Sequence, residues 1–163
     1  MWHTVSGETP WQQIITSPLL RCREFASSLS EKLQIPLDQD ERLKEVGFGA
    51  WEGKTSAELE ASAPGILNRF YHDPIVHRPS GAEQLERFSA RVNQALDQTV
   101  RAHPGKHILI VCHAGVIRAV LTRVMSAPLV SMYRCSVASA SVSRILFEQD
   151  RPPTILLHGV KKL

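Results

Sequence analysis

The chain has 163 residues, 43% of them hydrophobic, and a formal net charge of +3, enough for one globular domain with a sizeable core, so a single unit over 1–163 is expected. Its basic residues are scattered, as at Arg21 and Arg23, Arg118 and Arg123, and Lys161 and Lys162, which suits small anionic ligands and argues against nucleic acid. No apolar run reaches the length of a membrane span, MWHTVSGETP lacks the basic start and apolar core of an export signal, and Cys22, Cys112 and Cys135 are widely spaced with no CxxC; a soluble, cytoplasmic protein in a reducing setting is expected, with no membrane partner.

Residues 1–10 show no period, with a short extended piece at Trp2–Val5 as the only candidate element. Trp11–Thr16, WQQIIT, reads as a strand that stops at Ser17-Pro18. Proline suits a first helical turn, so Ser17 is expected to open a helix through Leu33 whose buried face carries Cys22, Phe25, Leu29 and Leu33. Pro36 ends it, and a strand over Leu37–Leu43 follows.

Glu45–Gly53, EVGFGAWEG, is glycine-punctuated and apolar, a loop packed against something. Its glycines fall as GxGxxxG with no hydrophobic helix period behind them, a poor fit to a dinucleotide loop. Thr55–Glu58, TSAE, is a capping box opening a short helix, and Pro64 opens another through Phe70. Residues 72–81 form a surface loop containing Arg78. From Ala82 a long helix is expected, with Leu85, Phe88, Val92, Ala95 and Thr99 on one stripe and Glu83 paired with Arg87 one turn on.

His107–Cys112 is a short apolar β-branched run of the kind found in buried strands. Gly115 then breaks it, and a 3.6-residue period begins, with Val116, Val120 and Val124 on one side and Ile117 and Leu121 beside them. His113 falls where the next helix presents its free N–H groups and positive dipole end, a ready anion site; the plain alternative is a turn histidine satisfied by a backbone carbonyl. Val137–Phe147 and Thr154–His158 read as an antiparallel hairpin about a turn at Asp150–Pro153. Strands alternating with helices and a closing hairpin indicate an α/β fold with a largely parallel sheet.

Ligands of open α/β sheets sit outside the carboxyl ends of the strands, which singles out Ser17–Arg21 after WQQIIT and His113 after HILIVC. Arg21 suits phosphate through its planar fork; its plain alternative is a solvated surface arginine.

Four stretches resemble a known family. SPLLRCREFA is similar to its SPLxRAxxTA element, ERLKEVGFGAWEG to LxExxxGxWEG, PSGAEQ to PxGGES, and VCHAGVIRA to V(S/C)HGGxIR. The family is the histidine phosphatase superfamily, of phosphoglycerate mutase-like fold, and GFGAWEG with YHDP and PSG most resembles its alpha-ribazole phosphatase branch. The resemblance implies a three-layer α/β sandwich, a mostly parallel sheet with helices on both faces. It implies that Arg21 clamps the phosphoryl group beside Ser17, that Glu45 gives the leaving oxygen its proton, and that His113 bonds the phosphoryl oxygens. Glu83 stands at the carboxylate of the third element and Ala114 where a turn glycine is usual. No metal or other cofactor is implied, and no His, Cys, Asp or Glu grouping has ligand spacing.

The family begins with a strand carrying Arg-His-Gly, whose histidine is the nucleophile, followed by a helix. This sequence shows neither: His3 sits in WHTVSGE, and Val5 and Ser6 stand where arginine and histidine precede GET. In the family that first strand is central, so its loss would leave two neighbouring strands with open edges. Trp2–Val5 would fill part of the gap, another chain would supply the strand, or the sheet would rearrange; a homodimer is one possible assembly. The expected function is phosphomonoester hydrolysis, with alpha-ribazole-5'-phosphate as one candidate substrate and activity in doubt. The alternative is an inactive phosphate-binding or interaction module on the same fold. Expected partners are a small phosphorylated substrate or inorganic phosphate, and Phe48, Trp51, Phe70 and Tyr71 either line a pocket for a ring-bearing ester or pack on one another.

Overall fold

A computed structural model describes residues 11–161. Trp2–Val5 and His3 lie outside the described residues. Strand β1 (Gln13–Thr16) is buried at every position and lies between β2 (Leu37–Gln39) and β3 (Ile108–Val111), both parallel to it. Two long crossovers join these strands: helix α1 (Leu20–Leu33), and a stretch with α2 (Ser56–Ser62), α3 (Ile66–His72) and the longest helix, α4 (Leu85–Ala102). Helix α5 (Ala114–Val124) follows β3, and a hairpin of β4 (Val142–Glu148) and β5 (Arg151–Val160) closes the chain.

Alternation along β1 makes the layers. Ile14 faces Cys22, Ala26 and Leu29 of α1, whereas Ile15 faces Phe88, Val92 and Ala95 of α4 and Val116 and Ala119 of α5. Helices therefore cover both faces of the parallel sheet. Each fully buried Ile, Leu or Phe contributes about 1.5–3 kcal/mol of apolar transfer, and Ile14, Leu29, Leu85 and Phe88 are all completely enclosed.

Several boundaries differ from those expected from sequence. Helix α1 begins three residues after Ser17: its N-cap is Leu19, with no side-chain cap bond, because the Ser17 hydroxyl is engaged elsewhere. The second strand stops at Gln39, where the Asp40 carboxylate accepts from Arg42 N and opens a 3-10 turn over Glu41–Leu43. Thr55 and Glu58 do form a capping box for α2, but α3 starts after Pro64 and Gly65 rather than on the proline. Helix α4 starts at Leu85, leaving Glu83 outside it, and Glu83 pairs with Arg91 rather than Arg87. Gly115 lies inside the first turn of α5 instead of breaking the chain ahead of it.

The hairpin turn is Gln149–Asp150, and Pro152 and Pro153 lie within β5, as an outer strand permits. Among the described residues β4 and β5 pair only with each other, and β3 pairs only with β1. The result is a three-stranded parallel sheet and a separate antiparallel ribbon. No described helix is long and apolar enough to cross a membrane.

Candidate phosphate site at the N-terminus of α5

The strand ends of β1 and β3 meet because Ser17 N donates to Val111 O. His113 leaves β3 there as the N-cap residue of α5, in extended conformation, and only 5% of it is exposed. Its ring is held from two sides: Arg21 Nη2 lies 2.8 Å from Nδ1, and Ser17 Oγ lies 2.7 Å from Nε2. A guanidinium can only donate, so Nδ1 is the acceptor and Nε2 carries the proton, which goes to Ser17 Oγ. That hydroxyl also accepts from Leu19 N at 3.3 Å. Ser17 therefore spends its side chain orienting the histidine, which is why it does not cap α1.

Burial, and after it the charges of Arg21 and Arg91, pushes the His113 pKa down to about 4. The imidazole is neutral at pH 7 and remains an N–H donor beside a cation. Burial likewise raises the thiol of Cys22, whose Sγ is 3.6 Å from His113 Nε2, and pushes Cys112 up to about 12. Neither is poised as a nucleophile.

Glu45 arrives from the other crossover. Its carboxylate accepts from Val46 N at 2.9 Å and from Gly115 N at 3.2 Å, so it rests on the positive end of α5 two residues after His113. Only glycine permits this. A Cβ on Gly115 would collide with Glu45 Oε1 and stand 3.2 Å from both Glu45 Cδ and Val46 Cγ1.

The loop carrying Glu45 is braced by Arg91. Its guanidinium binds both Glu83 oxygens at 2.7 Å and donates to the carbonyls of Arg42, Lys44 and Glu45 at 2.6, 2.8 and 3.2 Å. Burial pushes the Glu83 carboxyl up, but the Arg91 hydrogen bonds and charge, with Gly47 N and Arg78, outweigh it and leave the pKa below the ordinary value. Glu83 is thus placed to hold the 42–47 loop through Arg91 and Gly47 N. Arg78 adds a bond from Nη2 to Gly47 O.

Arg21, Glu45 and His113, far apart in the chain, are brought to one helix end, with Ser17 behind the histidine and Ala114 as the first residue of α5. Glu83 stands one layer back. Arg91 and Gly115 escape a reading of the sequence alone: Arg91 sits eight residues beyond Glu83, past the usual pairing distance within a helix, and Gly115 reads as a turn residue. Phe48, Trp51 and Tyr71 surround buried Phe70, with ring centroids 6.0, 5.2 and 5.5 Å from it, so these aromatics pack on one another. Among the described residues no group of three or more His, Cys, Asp or Glu side chains is arranged to hold a metal.

The chain resembles known proteins in sequence and in fold. The bifunctional protein Rv2228c of Mycobacterium tuberculosis is 29% identical over 144 residues, covering 88% of this chain, which spans 39% of that relative's length. The adenosylcobalamin/alpha-ribazole phosphatase of Salmonella typhimurium is 24% identical over 143 residues, 88% of this chain and 71% of that protein. Among solved structures, Bacillus stearothermophilus YhfR matches with a TM-score of 0.83 at 27% identity, covering 94% of this chain and 76% of its own. A complex of mycobacterial glucosyl-3-phosphoglycerate phosphatase with inorganic phosphate matches with a TM-score of 0.81 at 22% identity, over 92% of this chain and 77% of that one. The family model for the histidine phosphatase superfamily (branch 1) matches residues 3–160, and the chain belongs to that superfamily.

Proposed function

We propose that this chain binds phosphomonoesters at the N-terminus of α5 and hydrolyses them poorly on its own. The observation that carries this reading is the meeting of Arg21, His113 and Glu45 at that helix end, where Arg21 bonds His113 and the Glu45 carboxylate accepts from Gly115 N two residues further along. A phosphoryl group placed there would meet the Arg21 fork and the α5 amides that Glu45 leaves open, and would take the His113 Nε2–H in place of Ser17 Oγ. Donors of this kind are commonly worth about 2.7–4 kcal/mol each where charge develops. In this reading Glu45, once it carries a proton, gives it to the departing alkoxide.

Hydrolysis through a phosphohistidine needs a second imidazole to attack phosphorus in line, after which water releases phosphate. The sequence contains no Arg-His-Gly to supply it. Losing a nucleophile while keeping the oxyanion donors costs about 10⁶ in turnover in a well-studied hydrolase, so binding survives where catalysis does not. His3 is a poor substitute, because it lacks the flanking arginine and glycine of that element. Alpha-ribazole-5'-phosphate is one candidate ester, supported by the GFGAWEG, YHDP and PSG stretches and by the Salmonella relative. The second reading, a silent phosphate-binding module, is favoured by the tie of His113 to Arg21 and Ser17.

Two measurements on the purified chain test the proposal. Calorimetry with inorganic phosphate is expected to show binding that weakens at least tenfold in Arg21→Ala. A phosphatase assay is expected to show turnover far below that of ordinary family members. Turnover within tenfold of them, abolished by changing His3 or His113, refutes the weak-catalysis reading, and an unchanged phosphate affinity in Arg21→Ala refutes the site.

A further inference from the structure

A second group of reactive side chains lies outside this site, where the segment after α5 meets the hairpin. Cys135 ends the 3-10 turn over Leu129–Arg134, Ser143 is on β4 and His158 on β5. His158 Nε2 is 3.1 Å from Cys135 Sγ and 2.9 Å from Ser136 O, and Nδ1 is 2.7 Å from Ser143 Oγ. All three side chains are half-buried, within reach of small solutes.

The ladder is irregular at this point. Val142 pairs with Val160 and Arg144 with Leu157, so two steps on β4 face three on β5, and Gly159 takes up the extra residue with φ of 72°. A bulge of this kind re-aims side chains locally, and here it coincides with the contact of Ser143 Oγ with His158 Nδ1. Arg118 Nε donates to Cys135 O at 2.9 Å and fixes the backbone that carries the thiol.

The partners determine the tautomer. Ser136 O can only accept, so Nε2 carries hydrogen, and the same N–H faces Cys135 Sγ. Nδ1 then accepts from the Ser143 hydroxyl, which can rotate to accept instead if the ring becomes fully protonated. A thiolate is a strong acceptor for an N–H, so sulfur attacking from this position has a donor 3.1 Å away.

We propose that Cys135 is a reactive thiol, positioned by His158 and Ser143, that exchanges with small-molecule disulfides. The Cys135 thiolate attacks one sulfur of the disulfide; that S–S bond breaks, a Cys135–S–S–R bond forms, and the departing thiolate takes up the proton that Cys135 released. The disulfide is the sole oxidant: the attacked sulfur stays at the disulfide level, the departing sulfur is reduced to a thiol, and the Cys135 sulfur is oxidised to the disulfide level in exchange. Cys22 and Cys112 differ sharply, since burial keeps both as thiols.

Oxidised glutathione, followed by intact mass and peptide mapping on the full chain at pH 7, tests this. Cys135 is expected to gain one glutathione moiety about tenfold faster than an unstructured cysteine peptide, ahead of Cys22 and Cys112. His158→Phe keeps ring volume but removes the N–H and is expected to reduce the rate to that of the peptide; His158→Gln restores an N–H donor and part of the rate. Circular dichroism establishes that each variant is folded. Modification of Cys135 no faster than the peptide overturns the proposal whatever the variants do, as does an unchanged rate in folded His158→Phe.

Discussion

Protonation of His113 offers a direct test of how the crevice is built. Its pKa falls from the ordinary 6.5 to about 4 because the ring is buried and then because Arg21 and Arg91 lie near. Between these values the unfolded chain binds a proton that the folded chain refuses, so stability is highest above pH 6.5 and declines as pH falls, with the loss complete below about 4. The gap of about 2.5 units, at about 1.36 kcal/mol each, amounts to roughly 3 kcal/mol. For a chain of this size that is a fall in Tm of about 6–12 °C. Other groups titrate in the same range, so the comparison is with His113→Gln, whose amide can accept from Arg21 and donate to Ser17 without titrating. Thermal melts followed by circular dichroism from pH 7 to 4 are expected to show a steeper decline for the wild type than for the variant. Parallel curves would refute both the burial of a neutral imidazole and its role as the acceptor of Arg21.

Three further outcomes follow from the packing around Glu45 and at a helix end. Gly115→Ala gains about 1 kcal/mol of helix propensity yet drives the Glu45 carboxylate off the α5 N-terminus; the expected result is a Tm change of a few degrees at most, with residual turnover of a phosphomonoester reduced about a hundredfold, and retained turnover would show that Glu45 does not act from that perch. Arg91→Met removes the bonds to Glu83 and to the carbonyls of Arg42, Lys44 and Glu45, and should cost about 2–4 kcal/mol in urea unfolding; it should also speed hydrogen exchange in residues 42–48. Thr55→Ala deletes the cap of α2 and should cost about 1 kcal/mol with phosphate binding unchanged, which separates scaffold stability from the site.

Much of the site was legible because its residues sit at strand ends and helix starts, where local pattern alone fixes position. His113 follows an apolar β-branched run and precedes a 3.6-residue period, and Arg21 falls one turn after Ser17-Pro18. Their neighbours were less legible because hydrogen-bond partners are non-local. Ser17 looks like a cap, but a histidine 96 residues away takes its hydroxyl. Glu83 looks like one member of a helical pair, but the helix starts two residues later and the three-dimensional neighbour is Arg91.

The sequence by itself determined the alternation of buried strands and amphipathic helices, the capping box at Thr55 and the closing hairpin, since each depends on spacing within a few residues. It also carried the four stretches that mark the family. Only the tertiary structure decided that the Glu45 loop folds onto the α5 N-terminus, that Gly115 must lack a side chain there, and that Arg91 holds the loop down. It likewise decided that Cys135, Ser143 and His158 meet. These contacts join segments tens of residues apart, and a pairing of that range depends on how the layers stack and not on any period along the chain.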